Sequence, residues 1–196
     1  RAIIPVHYAG VACEMDALVA LASQHRIPLV EDNATGLFGT YRGRRLGTFG
    51  TLAALSFHET KNISCGEGGA LLINDEALIE RAEILREKGT DRTRFLQGLV
   101  DKYTWVDIGS SVLPSDMLAA FLCAQLESHQ QIQNGRGRIW DTYQRELSGW
   151  AGAKGVGLPF VPPHCQQPYH MFYLLMPEAG QRDVFRPRRE LRRRRR

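Results

Sequence analysis

Ala2-Ile3-Ile4-Pro5-Val6, then Met15, Leu18, Val19 and Ala22, then Ile27-Pro28-Leu29-Val30-Glu31-Asp32 are the residues whose reading decides the fold. The first run is short and apolar and reads as a buried strand. In the second, apolar side chains recur at i, i+3, i+4 and i+7, which predicts an amphipathic helix over about residues 14–25. The third is another apolar strand, and it ends on two carboxylates. Strand, helix and strand with short joins form a βαβ unit, so the strands run parallel with a right-handed crossover.

Outward from that unit the pattern continues. Gly36, Gly39, Gly43, Gly47 and Gly50 mark a glycine-rich stretch, with Tyr41-Arg42-Gly43-Arg44 as a turn. Leu52 to Phe57 reads as a third strand, His58 to Gly69 as a polar loop closed by glycines, and Ala70 to Ile73 as a fourth strand. Asn74 or Asp75 caps a helix with Leu78, Ile79, Ala82 and Leu85 on one face, and Gly89 stops it. Residues 90–113 read as irregular. Pro114-Ser115 opens a helix with Leu118, Phe121, Leu122 and Leu126 on its apolar face, and Asn134-Gly135 and Gly137 interrupt its continuation over about 131–149. After glycine- and proline-rich joins, His170 to Met176 reads as one more strand. Phe38, Trp105 and Phe121 are assigned to the core. The alternation predicts an α/β fold with a mostly parallel sheet and flanking helices.

Composition narrows the class. The chain has 196 residues, 43% hydrophobic and 23% charged, which excludes disordered and collagenous proteins. Its formal charge is +4, but Arg186 to Arg196 alone carries +7, leaving −3 for residues 1–185. The basic balance therefore belongs to the tail, and no basic stripe elsewhere suggests nucleic-acid binding. Four scattered cysteines, Cys13, Cys65, Cys123 and Cys165, lack metal-ligand spacing and fit a reducing, cytoplasmic setting. No apolar run is long enough for a membrane span. An apolar run directly after Arg1 gives the expectation of a chain that starts mid-domain.

In open α/β sheets, chemistry gathers at the carboxyl ends of strands. Asp32 ends the second strand, and Lys61 follows the third, just before Gly66-Glu67-Gly68-Gly69. A phosphate-binding P-loop places its lysine after the glycines, and no G-x-G-x-x-G follows the first strand, so both nucleotide signatures are disfavoured. A lysine beside a rigid glycine turn, with an acidic partner, suits a Schiff base with a pyridoxal cofactor whose ring nitrogen needs a carboxylate. Taken singly, Asp32 also reads as a helix cap and Lys61 as a solvated loop residue. His7, His58 and His170 read as hydrogen-bonded histidines, with no metal site.

Ser56-Phe57-His58-Glu59-Thr60-Lys61 with Gly66-Glu67-Gly68-Gly69 resembles the cofactor-lysine signature of the DegT family of sugar aminotransferases. Pro5 to Gly10, Val30-Glu31-Asp32 and the helix at Ser115-Asp116, Ala119-Ala120 and Gln125-Leu126 agree in order. His58 to Asn62, Glu87 to Thr90 and Asp101 to Ser111 resemble members that aminate a nucleotide-linked 4-keto-6-deoxyhexose. The resemblance implies a pyridoxal 5′-phosphate fold type I transferase. It divides the chain into a partial cofactor-binding large domain (1–130), a connecting helix and the start of a small α/β domain (131–176), and an Arg-rich tail outside the family pattern (177–196).

The same resemblance implies roles. Lys61 holds the cofactor and moves protons; Asp32 pairs with the pyridine nitrogen; Ser56 bonds the phosphate; Ser111 reaches the phosphate of a neighbouring subunit, which makes a homodimer the working unit. A sugar nucleotide and an amino-acid donor, glutamate by analogy, are the implied substrates. Asp32-Asn33-Ala34-Thr35 departs from the usual Asp-Ala-Ala-Gln/His, which puts Thr35 where relatives bond the ring hydroxyl. The flanks that complete both domains in relatives are absent, so the alternative is a non-catalytic remnant or interaction module of that family.

Overall fold

The computed structural model describes residues 1–182. Of the Arg-rich tail, residues 183–196 lie outside the described residues.

The βαβ unit is present. Helix α1 (Met15–His25) ends on Arg26 in the left-handed conformation (φ 52°) and leads to strand β1 (Val30–Asp32). The leading apolar run pairs parallel to β1 through Ile3–Leu29 and Val6–Asp32 bridges, with N–H donation from Ile3 to Pro28 and from Asp32 to Pro5. Pro5 has no N–H, so this ladder is broken rather than a continuous strand. Nor is it fully buried: Ile4 and Val6 are 63% and 49% exposed, while Pro5 and His7 on the alternate face are buried. The period of two splits the run between one covered and one open face.

Strands β2 (Thr40–Tyr41) and β3 (Arg44–Arg45) form a hairpin. Arg42 (φ 50°) and Gly43 (φ 80°) both take left-handed backbone, the geometry of a type I′ turn. Strand β4 (Leu52–Ser56) lies parallel beside β1, in register Val30–Leu52, Glu31–Ala53 and Asp32–Ala54. Strand β5 (Gly69–Ile73) returns antiparallel to β4. The expected loop between them contains no helix, and a parallel return needs a crossover that such a loop does not supply.

A short 3₁₀ turn capped by the Asp75 carboxylate precedes helix α2 (Ile79–Arg86). The stretch read as irregular contains helix α3 (Arg92–Leu96). Helix α4 (Asp116–Glu127) starts where expected, with Ser115 accepting from the Leu118 N–H. The helix after it is not interrupted: α5 runs from His129 to Lys154 and closes on left-handed Gly155. Interior glycines cost a helix about 1 kcal/mol each, and tertiary contact offsets this at Gly137. That residue is buried and takes the Tyr169 ring 3.1 Å from where a Cβ would sit.

Strand β6 (Cys165–Gln166), which the sequence reading missed, adds to β2. The strand expected over His170–Met176 does not form; only Leu175 bridges, to Gly157. Tyr169 has φ 55°, and Arg136 occupies the carbonyls of Tyr169 and His170, so the start of the stretch is bonded to α5 instead of to a strand.

Two cores result. Met15, Ala22, Leu29, Tyr41, Leu46 and Cys165 seal α1 against the hairpin and β6. Phe57, Ile63 and Cys65 form the second, packed against Leu118, Leu122 and Ile132 of α4 and α5. Trp105 and Phe121 belong to neither: they are 79% and 55% exposed. Phe38 is half-buried and stacks on His129, with ring centroids 5.1 Å apart.

Candidate active site

Asp32 and Ala54 are register partners on adjacent parallel strands, so their side chains leave the same face of the sheet. Ser56, two residues beyond Ala54, shares that face. It is the open one: Ala54 is exposed, and its partner on β5, Leu71, is 51% exposed. The opposite face carries Glu31 and Ala53, both fully buried. Asp32 and Ser56 therefore end neighbouring parallel strands, and the residue beside Asp32 on β4 is the small Ala54.

Local bonds set each group. Asp32 Oδ1 accepts from the Ala34 N–H at 3.1 Å, which fixes the carboxylate against its own turn. Ser56 Oγ accepts from the His58 N–H at 3.4 Å, closing the start of the loop that carries Lys61. That loop is held by Lys61 N–H to the His58 carbonyl (2.9 Å), Cys65 N–H to Phe57 (2.9 Å) and Glu59 N–H to Gly66 (2.8 Å). Gly66, at φ 88°, supplies the left-handed residue this reversal needs. Ile63 and Cys65 anchor the loop in the second core and leave Lys61 half-buried above it.

The other expected residues fall differently. Thr35 lies beside the first strand's exit, where its hydroxyl donates to the His7 carbonyl at 2.8 Å. That proton is thereby committed to the backbone. Ser111 sits on an exposed loop, bridged to Glu87 at the end of α2.

Three residues that sequence reasoning did not single out complete the surroundings. Glu31 is fully buried and accepts from His7 Nε2 (3.0 Å) and from the backbone N–H groups of Gly47, Phe49 and Gly50 (2.7–2.8 Å). Burial alone would raise its pKa; the His7 bond and the three backbone donors together hold it below the ordinary carboxylate value. The signal was its place beside Asp32, since strand neighbours point to opposite faces. Asn62, next to Lys61, accepts from His170 Nδ1 at 3.0 Å. Burial first, and then the charges of Lys61 and Arg136, push the His170 pKa down. Burial likewise lowers that of Arg136.

The likeness to known proteins extends over nearly the whole chain. Residues 1–192 match the DegT/DnrJ/EryC1/StrS aminotransferase family. The chain belongs to that family. It is 38% identical over 173 residues to the dTDP-3-amino-3,4,6-trideoxy-alpha-D-glucose transaminase of Streptomyces venezuelae, covering 88% of this chain and 42% of that protein. Among solved structures, S. venezuelae DesV in complex with a ketimine intermediate superposes with TM-score 0.75 at 36% identity, over 92% of this chain and 46% of that one. The aminotransferase TlmJ of Streptoalloteichus hindustanus gives TM-score 0.85 at 27% identity, over 98% and 50%. This family member is thus a partial fold type I α/β chain that spans about half the length of these relatives.

Proposed function

We propose that this chain carries the lysine-bearing part of a pyridoxal 5′-phosphate-dependent aminotransferase for nucleotide-linked keto-deoxyhexoses. The supporting observation is the shared open face of Asp32 and Ser56, from which the Lys61 loop departs. The donor set fits the cofactor in kind: an amine on the loop after β4, and a carboxylate and a hydroxyl at the ends of β1 and β4, with small Ala54 beside Asp32 on the open face.

When bound, the cofactor supplies an electrophilic carbon and a ring that withdraws electrons from the carbon being aminated or deaminated. Lys61 would offer its Nζ amine for covalent attachment of the cofactor and, as a free amine, would accept and return a proton at Nζ. Asp32 would hold positive charge at the ring nitrogen, and Ser56 would donate to the phosphate. Thr35, with its proton committed to His7, can only accept near the ring hydroxyl. Ser111, exposed on its loop, serves a second copy of the chain in this reading.

Exposed apolar side chains support that homodimer. Trp105, Ile108 and Met117 are 79%, 76% and 84% exposed, and Phe121 and Val112 lie on the same stretch. Single exposed apolar residues are ordinary, but a run of large ones marks an interface.

Glutamate is the proposed donor and dTDP-4-keto-6-deoxy-D-glucose the proposed acceptor, from the likeness of residues 58–62 and 87–111 to enzymes that aminate C4. The name of the S. venezuelae relative favours a second reading, amination at C3. Incubation with pyridoxal 5′-phosphate, borohydride reduction and peptide mapping tests the first step: the adduct maps to Lys61 and is absent from Lys61→Ala. Assays of the full-length protein with 3-keto and 4-keto sugar nucleotides then separate the acceptors. An adduct distributed over surface lysines rejects the proposal.

A further inference from the structure

Asn62 makes more bonds than a loop residue needs. Its Nδ2 donates to the Pro168 carbonyl and to Gln133 Oε1 on α5, and its Oδ1 accepts from His170 Nδ1. Because Oδ1 can only accept, the proton on His170 resides at Nδ1. All three partners lie more than seventy positions away in sequence, on α5 or in the segment 168–170.

That segment is itself fastened on two sides. Arg136 of α5 donates to the carbonyls of Tyr169 (2.9 Å) and His170 (2.6 Å), and Gly137 admits the Tyr169 ring. On the other side the Pro168 ring lies against Gly10, where any Cβ would strike it and would also come within 2.9 Å of the Thr35 carbonyl. Gly10 follows His7, whose N–H donates to the Asp32 carbonyl at 3.1 Å. Pro168-Tyr169-His170 is therefore a strap from the Gly10 turn, which follows the His7 bond to Asp32, to the Lys61 loop. Tyr169, left-handed at φ 55°, is the residue that lets it turn between them.

We propose that Asn62 and His170 are positioning residues that lock the Lys61 loop to this strap and so set Lys61 relative to Asp32. Neither residue needs to touch the substrate for this. The inference rests on Lys61 being the attachment site, but the lock itself exists without the cofactor.

Two measurements on the full-length protein separate the lock from the attachment. Hydrogen exchange of the amides of residues 59–66, measured without cofactor, reads the lock. Borohydride trapping of pyridoxal 5′-phosphate on Lys61 reads its consequence. Asn62→Ala and His170→Phe are expected to raise loop exchange and lower the trapping rate by roughly tenfold each. In His170→Asn the amide nitrogen replaces Nδ1 as donor and should restore both to within about threefold. A His170→Phe protein with native exchange in the loop overturns the proposal, as does His170→Asn behaving like His170→Phe. If Asn62→Ala does not fold, the His170 pair decides alone. Absence of trapping in the unaltered protein counts against the Lys61 reading, while loop exchange still judges the lock.

Discussion

His7 Nε2 lies 3.0 Å from Glu31 Oε2 with both side chains fully buried. Cys13 donates its N–H to His7 Nδ1 at 3.3 Å, so Nδ1 is unprotonated and the ring proton sits at Nε2, pointing at the carboxylate. A neutral imidazole and an ionised Glu31 thus share one proton in a hydrogen bond, and three backbone donors saturate the remaining carboxylate capacity. The pair fixes the face of β1 opposite to Asp32 and ties it to the turn at 47–50.

Glu31→Gln puts an amide N–H₂ against at least one backbone N–H. The expected loss is about 2–4 kcal/mol of stability, read as a shift in denaturant midpoint. The folded pKa of Glu31 is depressed, so its stabilisation is complete above the unfolded carboxylate pKa of about 4.3 and is lost as pH falls through the folded value. The variant should therefore lose less stability than the parent between neutral pH and acid. Parallel pH–stability curves would remove Glu31 from this role.

Gly135 and Gly137 differ although both are interior to α5. A Cβ at Gly135 meets open space, whereas one at Gly137 meets Tyr169. Gly135→Ala should stabilise by about 0.5–1 kcal/mol, the ordinary helix-propensity gain. Gly137→Ala should fall well short of that gain, because the Tyr169 ring has to move. Thermal melts of the two variants side by side check the contrast.

Trp105→Glu should convert the proposed homodimer to monomer in sedimentation velocity. An exposed side chain contributes little to the fold itself, so the monomer's own stability should move by no more than about 0.5 kcal/mol. A variant that remains dimeric removes this stretch from the interface.

Asp32→Asn preserves shape and removes the charge. Covalent trapping on Lys61 should persist, while transamination by the full-length protein falls about 10²-fold or more, since an amide cannot hold positive charge at the ring nitrogen. Equal turnover in the variant would sink the role given to Asp32.

The strands and helices around the proposed site were legible because local pattern set them. The apolar run before Asp32, the amphipathic spacing of α1 and the Ser115 cap are each encoded within a few residues, and the structure has them at those places. Where the local signal and the packing disagreed, packing prevailed. Two glycines predict a broken helix, yet α5 continues through them, and at Gly137 the Tyr169 ring packs into the space a side chain would take. His170 to Met176 has strand-like composition, but left-handed Tyr169 and the Arg136 bonds to the carbonyls of Tyr169 and His170 occupy its start, and pairing is confined to Leu175 with Gly157.

By itself the sequence determined the βαβ start, the family signature from Ser56 to Gly69, and which residues carry an acid, a hydroxyl and an amine. Those are properties of spacing and side-chain type, and a linear chain displays both. The tertiary structure alone decided that Asp32 and Ser56 share an open face while Glu31 is buried behind it. It alone brought Asn62 to Pro168 and His170, and it left Trp105 outside the core. Such facts depend on strand register and on contacts between distant segments, which form only when the whole chain packs.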